Sequence, residues 1–249
     1  MISVCGISKR FGRQIVLDDV SLQIEPGQTT AVVGPSGVGK SVLIKIIMGI
    51  MRPDHGEVLI DGESITAARS EPQRNRIRQK LGVLFQAAAL FDSLNVYDNV
   101  AFPLVERGGM PCAEIHERVI RILEALSLCE HAFHFPEEIS MGMRKRVGLA
   151  RALITEPKVL LFDEPNTGLD PLVGQEVYDL IKLSRKQWGF TGVVISHELP
   201  EVFQVSDRVA MLLYGRVVAE GTPQELVESG NPAVAQFLKG SVDGPIKIQ

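Results

Sequence analysis

The sequence predicts an α/β fold built on a mostly parallel β-sheet, with an antiparallel β region at the N-terminus and a helical insert. Apolar patterns typical of buried strands occur in "TTAVV", "KVLLF" and "TGVVIS", and helices follow these strands. Strands that alternate with helices in this way form parallel sheets. From about Ala87 to Leu153 the pattern is helical and interrupts the alternation, which predicts the insert.

The elements near the N-terminus are predicted by their turns and their periodicity. Residues 1–30 alternate in polarity and are broken by Gly and Asp, which indicates short strands. The stretch "TTAVVGPSGVGKSVLIKIIMGI" predicts a buried strand, a glycine-rich turn and a helix with apolar residues at helical spacing. The stretch "GEVLIDGESI" predicts a hairpin that turns at Asp61 and Gly62.

The insert and the second half of the chain continue this order. One helix face in "CAEIHERVIRILEALSL" carries apolar residues at helical spacing, namely Ile115, Val119, Ile122, Leu123 and Leu126. Asp170 followed by Pro171 predicts the cap and the first position of a helix between the two later strands. The stretch "DRVAMLLYGRVVAEG" predicts a closing hairpin, and the chain after about Gly230 predicts a short tail.

The composition is that of a folded protein without a nucleic-acid-binding charge. The chain has 249 residues and a formal net charge of −4, so no basic field indicates DNA or RNA as a partner. Cys5, Cys112 and Cys129 show neither a disulfide framework nor metal-ligand spacing and are expected to be reduced thiols. Neither a signal peptide nor a membrane-spanning segment is expected, because the apolar runs that they need do not occur.

The glycine-rich turn carries the strongest chemical signal. Its sequence "GPSGVGKS", residues 34–41, matches the full phosphate-loop pattern G-x-x-x-x-G-K-[ST], although a chance glycine turn before a helix is the alternative. Lys40 would add a cation near the β- and γ-phosphates, and Ser41 would offer a hydroxyl to Mg²⁺. Nucleotide contacts are predicted for Gly34, Pro35, Ser36, Gly37, Val38, Gly39, Lys40, Ser41 and the adjoining Val42.

Two later strands end in residues that suit phosphate hydrolysis. "KVLLFDEP" places Asp163 to hold the metal through water and Glu164 to polarise the attacking water. "ISHE" places His197 at the carboxyl edge of the sheet, where contact with the γ-phosphate or the water is predicted. A solvated acidic strand end and a structural histidine are the alternatives. Catalytic roles are therefore predicted for Lys40, Glu164 and His197.

With these motifs in this order, the chain resembles the nucleotide-binding subunit of an ABC transporter over almost its whole length. The resemblance rests on a Walker A motif at 34–41, a Q-loop glutamine at Gln86, a signature at 139–143, a Walker B motif at 159–164, a D-loop ending at Asp170 and the switch His197. It implies a P-loop NTPase core of residues 1–86 and 156–230, a helical subdomain over 87–155 and a tail over 231–249.

The resemblance also implies ATP and Mg²⁺ as cofactors and a head-to-tail homodimer. ATP would lie between Walker A of one copy and the signature of the other, with Asp170 near it. Gln86, together with Ser41 and Asp163, would hold Mg²⁺ and sense a membrane partner. Phe11 in "KRFG" resembles the aromatic residue that stacks on adenine, although it could equally be a core residue at a strand end.

The signature departs from the family pattern at Met141, where glycine is usual. Ser140 can cap the following helix and donate its hydroxyl to a phosphate oxygen, and the Gly142 N–H can do the same. The loss of glycine matters only if this position needs a positive φ or a close approach. If Met141 is helical, its side chain costs little, whereas a Met141 side chain that faces the nucleotide would crowd the site. The signature is therefore expected to be functional despite Met141. The basic residues 144–146 suit either a phosphate-facing or a solvated helix face.

Two segments are similar to the ATPases of the Mla/MCE phospholipid transport systems: "LFQAAALFDSLNVYDNVAFPLVE" and "VAQFLKGSVDGPI". This resemblance implies a permease of the MlaE type and an MCE-domain protein of the MlaD type as partners, and it leaves room for a small regulatory subunit. The subunit would lie peripherally on the cytoplasmic face of the inner membrane, and its tail would cross to the partner copy. The apolar residues after Gln86 suit a docking groove for the permease or the core of the insert.

Two other functions stay open from the sequence. The first is an ATPase switch that signals to a membrane partner without transport, which the same apolar groove would serve. The second is an ABC protein that acts on DNA or ribosomes. Such proteins usually have two motor domains or a long coiled-coil insert, whereas this chain has one motor, a short insert and a negative net charge.

Overall fold

The strand and helix boundaries follow the turn residues and the apolar periodicity. The computed structural model describes residues 1–247. In chain order its strands are β1 (Ile2–Phe11), β2 (Gln14–Ile24), β3 (Thr29–Val33), β4 (His55–Ile60), β5 (Glu63–Ser64), β6 (Leu81–Leu84), β7 (Val159–Asp163), β8 (Thr191–Ser196), β9 (Arg208–Leu213) and β10 (Arg216–Gly221). Its α-helices are α1 (Lys40–Ile47), α2 (Glu71–Arg78), α3 (Val96–Arg107), α4 (Cys112–Ala125), α5 (Met141–Leu153), α6 (Pro171–Trp188), α7 (Pro223–Glu228) and α8 (Pro232–Lys239).

The chain forms two compact units, which are Met1–Arg78 with Thr191–Gln249, and Gln79–Phe190. The division that the sequence resemblance implies, with a core of residues 1–86 and 156–230, a helical subdomain over 87–155 and a tail over 231–249, has other boundaries and stays a prediction.

The first unit contains an antiparallel and a mostly parallel sheet. In the antiparallel sheet the strands have the order β2-β1-β4-β5, and the turn between the last two lies at Asp61 and Gly62 as predicted. In the other sheet β3 lies between β8 and β9 and is parallel to both, while β10 returns antiparallel beside β9. The predicted fold class and both predicted hairpins are therefore confirmed.

The second unit combines a parallel strand pair with the predicted helices. Strand β6 pairs in parallel with β7, so that Leu84 lies opposite Phe162. Helix α6 begins at Pro171 and is capped by Asp170, as the sequence predicts. The apolar face that is predicted for α4 is buried throughout, and its residues are Ile115, Val119, Ile122, Leu123 and Leu126. This burial explains why the helix forms where its apolar side chains repeat.

The tail after α8 folds back on its own unit. The Ile246 N–H donates to the Gln236 amide oxygen at 2.7 Å, and the Gln236 amide nitrogen donates to the Ile246 carbonyl at 3.1 Å. The Tyr214 hydroxyl donates to the Pro245 carbonyl at 3.1 Å. The predicted contact of the tail with a partner copy stays a prediction, and residues 248–249 of that tail lie outside the described residues.

Within residues 1–247, no helix combines the length and the apolar character needed to cross a bilayer.

Candidate functional site

The glycine-rich turn of the first unit forms the predicted strand–loop–helix arrangement. Strand β3 ends at Val33, the loop runs over residues 34–39, and α1 begins at Lys40. Gly34 has φ +149°, and a Cβ atom there would lie 2.2 Å from the backbone carbonyl oxygen of Leu212. A side chain therefore cannot be accommodated at Gly34 without moving the backbone of β9. This close approach fixes where the loop leaves the sheet.

The loop is built to hold an anion. Gly39 at the start of α1 has no side chain that could cap the helix, so the first turn of backbone N–H groups points into the loop with the positive end of the helix dipole. Lys40 is 4% exposed, and its Nζ donates to the carbonyl oxygens of Gly34 and Pro35 at 2.7 and 2.9 Å. Ser41 follows on the exposed side of the first turn. These groups fit the phosphates of a nucleotide with its Mg²⁺ ion.

A cavity of about 620 Å³ adjoins this loop within the first unit. It is lined mainly by residues 14–16 of β2, residues 35–38 of the loop and residues 213–215, where β9 ends. A volume of this size is typical of ligand pockets. The predicted aromatic residue Phe11 pairs with Gln14 at the end of β1 and is 48% exposed. Its exposure contradicts the alternative that Phe11 is a core residue, while stacking on adenine stays a prediction.

The predicted switch residue His197 belongs to the same unit. It follows β8 directly, and the last residue of β8, Ser196, pairs with Val33 at the end of β3. Because β3 and β8 are parallel, His197 and the start of the phosphate loop at Gly34 leave the sheet at the same edge. The imidazole is half-buried. Its position is that of a group which can approach the end of a bound triphosphate.

The predicted metal-binding residue Asp163 and the predicted catalytic residue Glu164 lie in the second unit, where β7 ends. Asp163 and Glu164 are both half-buried, and Glu164 has a positive φ of +47°, which is rare for residues with a side chain. The Thr167 hydroxyl donates to the Glu164 carboxylate at 3.1 Å. Two residues further along the chain from Glu164, the Asn166 amide oxygen accepts from the buried Tyr178 hydroxyl at 3.0 Å. The loop after β7 is thus held in a strained conformation, which is common at functional sites.

Gln86 lies at the same edge of this strand pair. It follows β6 by two residues, as Glu164 follows Phe162 by two residues in the paired strand β7. Parallel pairing of Leu84 with Phe162 therefore carries both side chains to the carboxyl end of the pair. Gln86 is exposed. Two of the three predicted metal-binding residues, Gln86 and Asp163, therefore lie at the carboxyl end of this strand pair.

The signature turn shows why methionine is tolerated in it. Ser140 caps α5, and its hydroxyl accepts the Met143 N–H at 3.3 Å. Met141 is the first residue of the helix, is 48% exposed and is not among the residues with positive φ. At Gly142, by contrast, a Cβ atom would lie 2.7 Å from Cγ1 of Val173. A side chain at Gly142 would therefore have to displace Val173, whereas Met141 carries its side chain without a positive φ.

Asp170 has a structural role in the second unit. Its carboxylate accepts the N–H groups of Leu172 and Val173 in the first turn of α6, both at 3.1 Å. The residue is exposed. Contact between Asp170 and a nucleotide stays a prediction beside this capping role.

Lys145 is a residue of the site that the sequence analysis did not assign. It is 1% exposed, so the solvated-face alternative is wrong for it, and its Nζ donates to the Gln86 carbonyl oxygen. Burial lowers the pKa of Lys145 to about 8, while the nearby Glu164 and Asp163 carboxylates act in the opposite direction. A signal was present, because Lys145 precedes the apolar Leu149 by four residues on the buried face of α5.

Comparison with known proteins places these motifs in a family. The family model described as "ABC transporter" matches residues 17–167. The chain is 40% identical over 249 residues to the "Intermembrane phospholipid transport system ATP-binding protein MlaF" of Escherichia coli (strain K12), covering 100% of this chain and 92% of that protein. It is 42% identical over 245 residues to the "Probable ribonucleotide transport ATP-binding protein mkl" of Mycobacterium leprae (strain TN), and this match covers 98% of this chain and 70% of that protein.

A solved structure with the same fold is similar over most of the chain. This is the dimeric structure of a post-hydrolysis state of the ATP-binding cassette MJ0796, bound to ADP and Pi, with a TM-score of 0.80 and 31% sequence identity. The match covers 90% of this chain and 99% of that one. The likeness thus includes both compact units.

Proposed function

The chain belongs to the ABC transporter family, and we propose that it is the motor subunit of a transporter that moves phospholipids between membranes. As a member of this family it binds ATP with Mg²⁺ and hydrolyses ATP to ADP and phosphate. The observation that carries the phospholipid proposal is the 40% identity to a protein named for intermembrane phospholipid transport, over all of this chain and 92% of that protein.

The side chains of the first unit bind the nucleotide in this proposal. The loop N–H groups and Lys40 hold the phosphates, and Phe11 stacks on adenine. His197 contacts the γ-phosphate or the attacking water. Mg²⁺ would be held by Ser41, Gln86 and Asp163, and it would neutralise charge on the β- and γ-phosphates.

Glu164 is the proposed general base. Its carboxylate already accepts a hydrogen bond from Thr167 at 3.1 Å, which limits the directions in which the side chain can point. An oriented carboxylate can accept the proton of the attacking water while that water displaces ADP from the γ-phosphorus. Lys40 supplies positive charge as negative charge shifts towards the leaving ADP.

A second copy of the chain completes the proposed site. Ser140 and the Gly142 N–H stand at the positive end of α5, where they can contact the γ-phosphate held by the other copy. Met141 does not interrupt the helix that makes this contact, because it adopts an ordinary helical conformation. The similar cassette MJ0796 was solved as a dimer, which supports a head-to-tail dimer as the working form of this chain.

The proposed permease contact is an apolar groove in the second unit. The groove has a volume of about 380 Å³ and is lined by residues that include Phe85, Phe91, Phe102, Pro103 and Arg151. Two of its rings, Phe85 and Phe91, are 36% and 42% exposed. An apolar groove of this kind suits a short amphipathic helix of a membrane protein.

The partners proposed with this contact are a permease of the MlaE type and an MCE-domain protein of the MlaD type, with room for a small regulatory subunit. The motor would then be bound peripherally on the cytoplasmic face of the inner membrane. These proposals rest on the relative named for the phospholipid transport system.

Reconstitution tests the proposed cargo. The chain would be purified with the permease and the MCE protein of its own organism and placed in vesicles that contain a fluorescent phosphatidylethanolamine. ATP is expected to drive transfer of the fluorescent lipid between the membrane and the MCE protein. Lys40→Ala, which should weaken ATP binding and abolish turnover, is the matched control for transfer that does not need the motor.

Two results of this experiment would contradict the phospholipid proposal. Hydrolysis without lipid transfer would leave the ATPase intact and favour the signalling switch. ATP-driven uptake of a labelled ribonucleotide in the same vesicles, without lipid transfer, would favour the cargo for which the mycobacterial relative is named.

A further inference from the structure

The loop after β6 adopts a conformation that needs support from its surroundings. This loop, residues 85–91, carries Gln86. Ala88 and Ala89 within it have φ values of +58° and +47°, in the left-handed region that residues with a Cβ atom rarely adopt. Strained backbone of this kind persists only where neighbouring groups hold it.

Helix α5 provides that support through three contacts spaced three residues apart. Lys145 Nζ donates to the Gln86 carbonyl oxygen, and Arg151 Nη2 donates to the Ala88 carbonyl oxygen at 2.7 Å. Between them, Gly148 lets the helix approach so closely that a Cβ atom there would lie 3.2 Å from Cβ of Ala88. Residues three apart lie on one helix face, so one side of α5 is applied to the loop.

The loop is tied at its far end as well. The Arg151 guanidinium lies 5.6 Å from the centre of the Phe91 ring. The Phe91 N–H donates to the Asn99 amide oxygen at 2.8 Å, and Asn99 is fully buried in α3. The loop is thus held by two cations of α5 and by one buried amide of α3.

The pKa of Lys145 also depends on the proposed base, Glu164, and on the proposed metal-binding residue Asp163. Burial lowers the pKa of Lys145, while the charges of Glu164 and of Asp163, at the end of β7, act in the opposite direction. The same helix begins at Ser140, the proposed contact to the partner's nucleotide.

We infer that Lys145 is a positioning residue for hydrolysis, which joins the signature helix to the Gln86 loop, with Arg151 as its second anchor. Closure of the signature on a nucleotide then moves the Gln86 loop with α5, because the two are joined at both anchors. The inference deepens the proposed function and rests on the roles given there to Gln86 and Glu164.

Turnover kinetics are the first test. Lys145→Met keeps the length of the side chain and removes its charge and its hydrogen bonds. Turnover is expected to fall about 10–100-fold, as when a group that orients a metal ligand is lost. The KM for ATP is expected to change little, because the phosphate loop is not altered. Lys145→Arg keeps a cation and is expected to recover much of the turnover.

Arg121→Met, at an exposed residue paired with Glu117 on α4, is the matched control and should behave like the parent.

Hydrogen exchange of the nucleotide-free protein gives a readout that does not depend on turnover. In Lys145→Met the amides of residues 85–91 are expected to exchange faster than in the parent, while those of α4 are unchanged. Arg151→Lys, which shortens the reach to Ala88, is expected to have the same effect to a smaller extent. This second variant keeps the test decisive if Lys145→Met does not fold.

Three outcomes would overturn the inference. The first is parent-like turnover in Lys145→Met. The second is an equal loss of turnover and ATP affinity in Lys145→Met, together with a lower melting temperature and without rescue by Lys145→Arg. This result would indicate that Lys145 only packs the helix. The third is unchanged exchange of residues 85–91 in both variants. A parent that hydrolyses no ATP with its permease would instead contradict the proposed function. The exchange measurement would still test whether Lys145 and Arg151 hold residues 85–91.

Discussion

The phosphate loop and the signature turn both place glycine beside the start of a helix, but they need it for different reasons. At Gly34 the backbone has φ +149°, and a Cβ atom would lie 2.2 Å from a backbone carbonyl oxygen of β9. At Gly142 the backbone is helical, and only a side-chain methyl group, 2.7 Å from a Cβ atom, stands in the way. At Met141 neither condition holds.

The comparison shows that a glycine of a motif is indispensable where the backbone itself would have to move. A side chain that blocks a glycine can shift, whereas a sheet carbonyl cannot shift without breaking its ladder. The departure from the usual signature at Met141 therefore lies at the one of these three positions where neither a positive φ nor a close contact requires glycine. Substitution is therefore expected to have a larger effect at Gly34 than at Gly142, and a smaller effect still at Met141. The largest loss of turnover is expected at Glu164, the proposed general base.

Glu164→Gln separates hydrolysis from binding. The phosphate loop binds the nucleotide, so ATP affinity should be kept, while turnover should fall about 10²–10⁴-fold, which is the usual contribution of a general base. The variant should accumulate as an ATP-bound dimer, to be seen by size-exclusion chromatography with multi-angle light scattering. Turnover at the parent rate would show that another group is the base.

Gly34→Ala tests the stricter of the two turns. The strained backbone alone is expected to cost about 1–3 kcal/mol of stability, and the contact with the Leu212 carbonyl should in addition distort the loop and remove ATP binding. Chemical denaturation and equilibrium binding of a fluorescent ATP analogue measure the two effects. Gly37→Ala is the matched control for stability, because φ there is +80° but no atom lies within 4 Å of the added Cβ. ATP binding is not compared for this control, since Gly37 is itself a predicted nucleotide contact. ATP binding by Gly34→Ala at the parent affinity would contradict the comparison.

Local signals in the sequence were enough to predict much of the fold. The Asp61–Gly62 turn, the cap at Asp170 and the apolar face of α4 each depend on residues within a few positions of one another, and all three are confirmed. Helix α2 was not predicted. Of its eight residues only Ile77 is buried, so the sequence carries no apolar repeat that would reveal the helix.

The sequence predicted the residues proposed to bind and hydrolyse the nucleotide better than the residues that hold them in place. The phosphate-loop pattern and the strand ends at Asp163 and His197 are local signals. The roles of Lys145 and Gly142 depend on residues far away in the chain, since Lys145 bonds residue 86 and Gly142 faces residue 173. A single sequence does not contain such tertiary contacts, although the helical spacing between Lys145 and the apolar Leu149 could have indicated that Lys145 lies on a buried face.

Gly142→Ala tests the more permissive turn at the position where space is still needed. Overfilling a packed contact costs about 1–3 kcal/mol, and the first turn of α5 should shift away from α6, which lowers turnover. Denaturation and ATPase assays measure both effects. Adding Val173→Ala removes the obstructing methyl groups and should restore part of the stability and the turnover. A Gly142→Ala variant that equals the parent would show that the contact yields freely and that Gly142 is no more restricted than Met141.

Met141→Gly should have the smallest effect of the series, although it restores the usual signature. The residue is helical and 48% exposed, so the position does not need the conformational freedom of glycine. The substitution should cost less than about 1 kcal/mol of helix stability. Turnover with and without the permease should stay close to the parent rate. A large gain in turnover would mean that the methionine faces the partner's nucleotide and restrains the motor. The signature turn would then be limited by space in the dimer, and the signalling alternative would gain support over continuous transport.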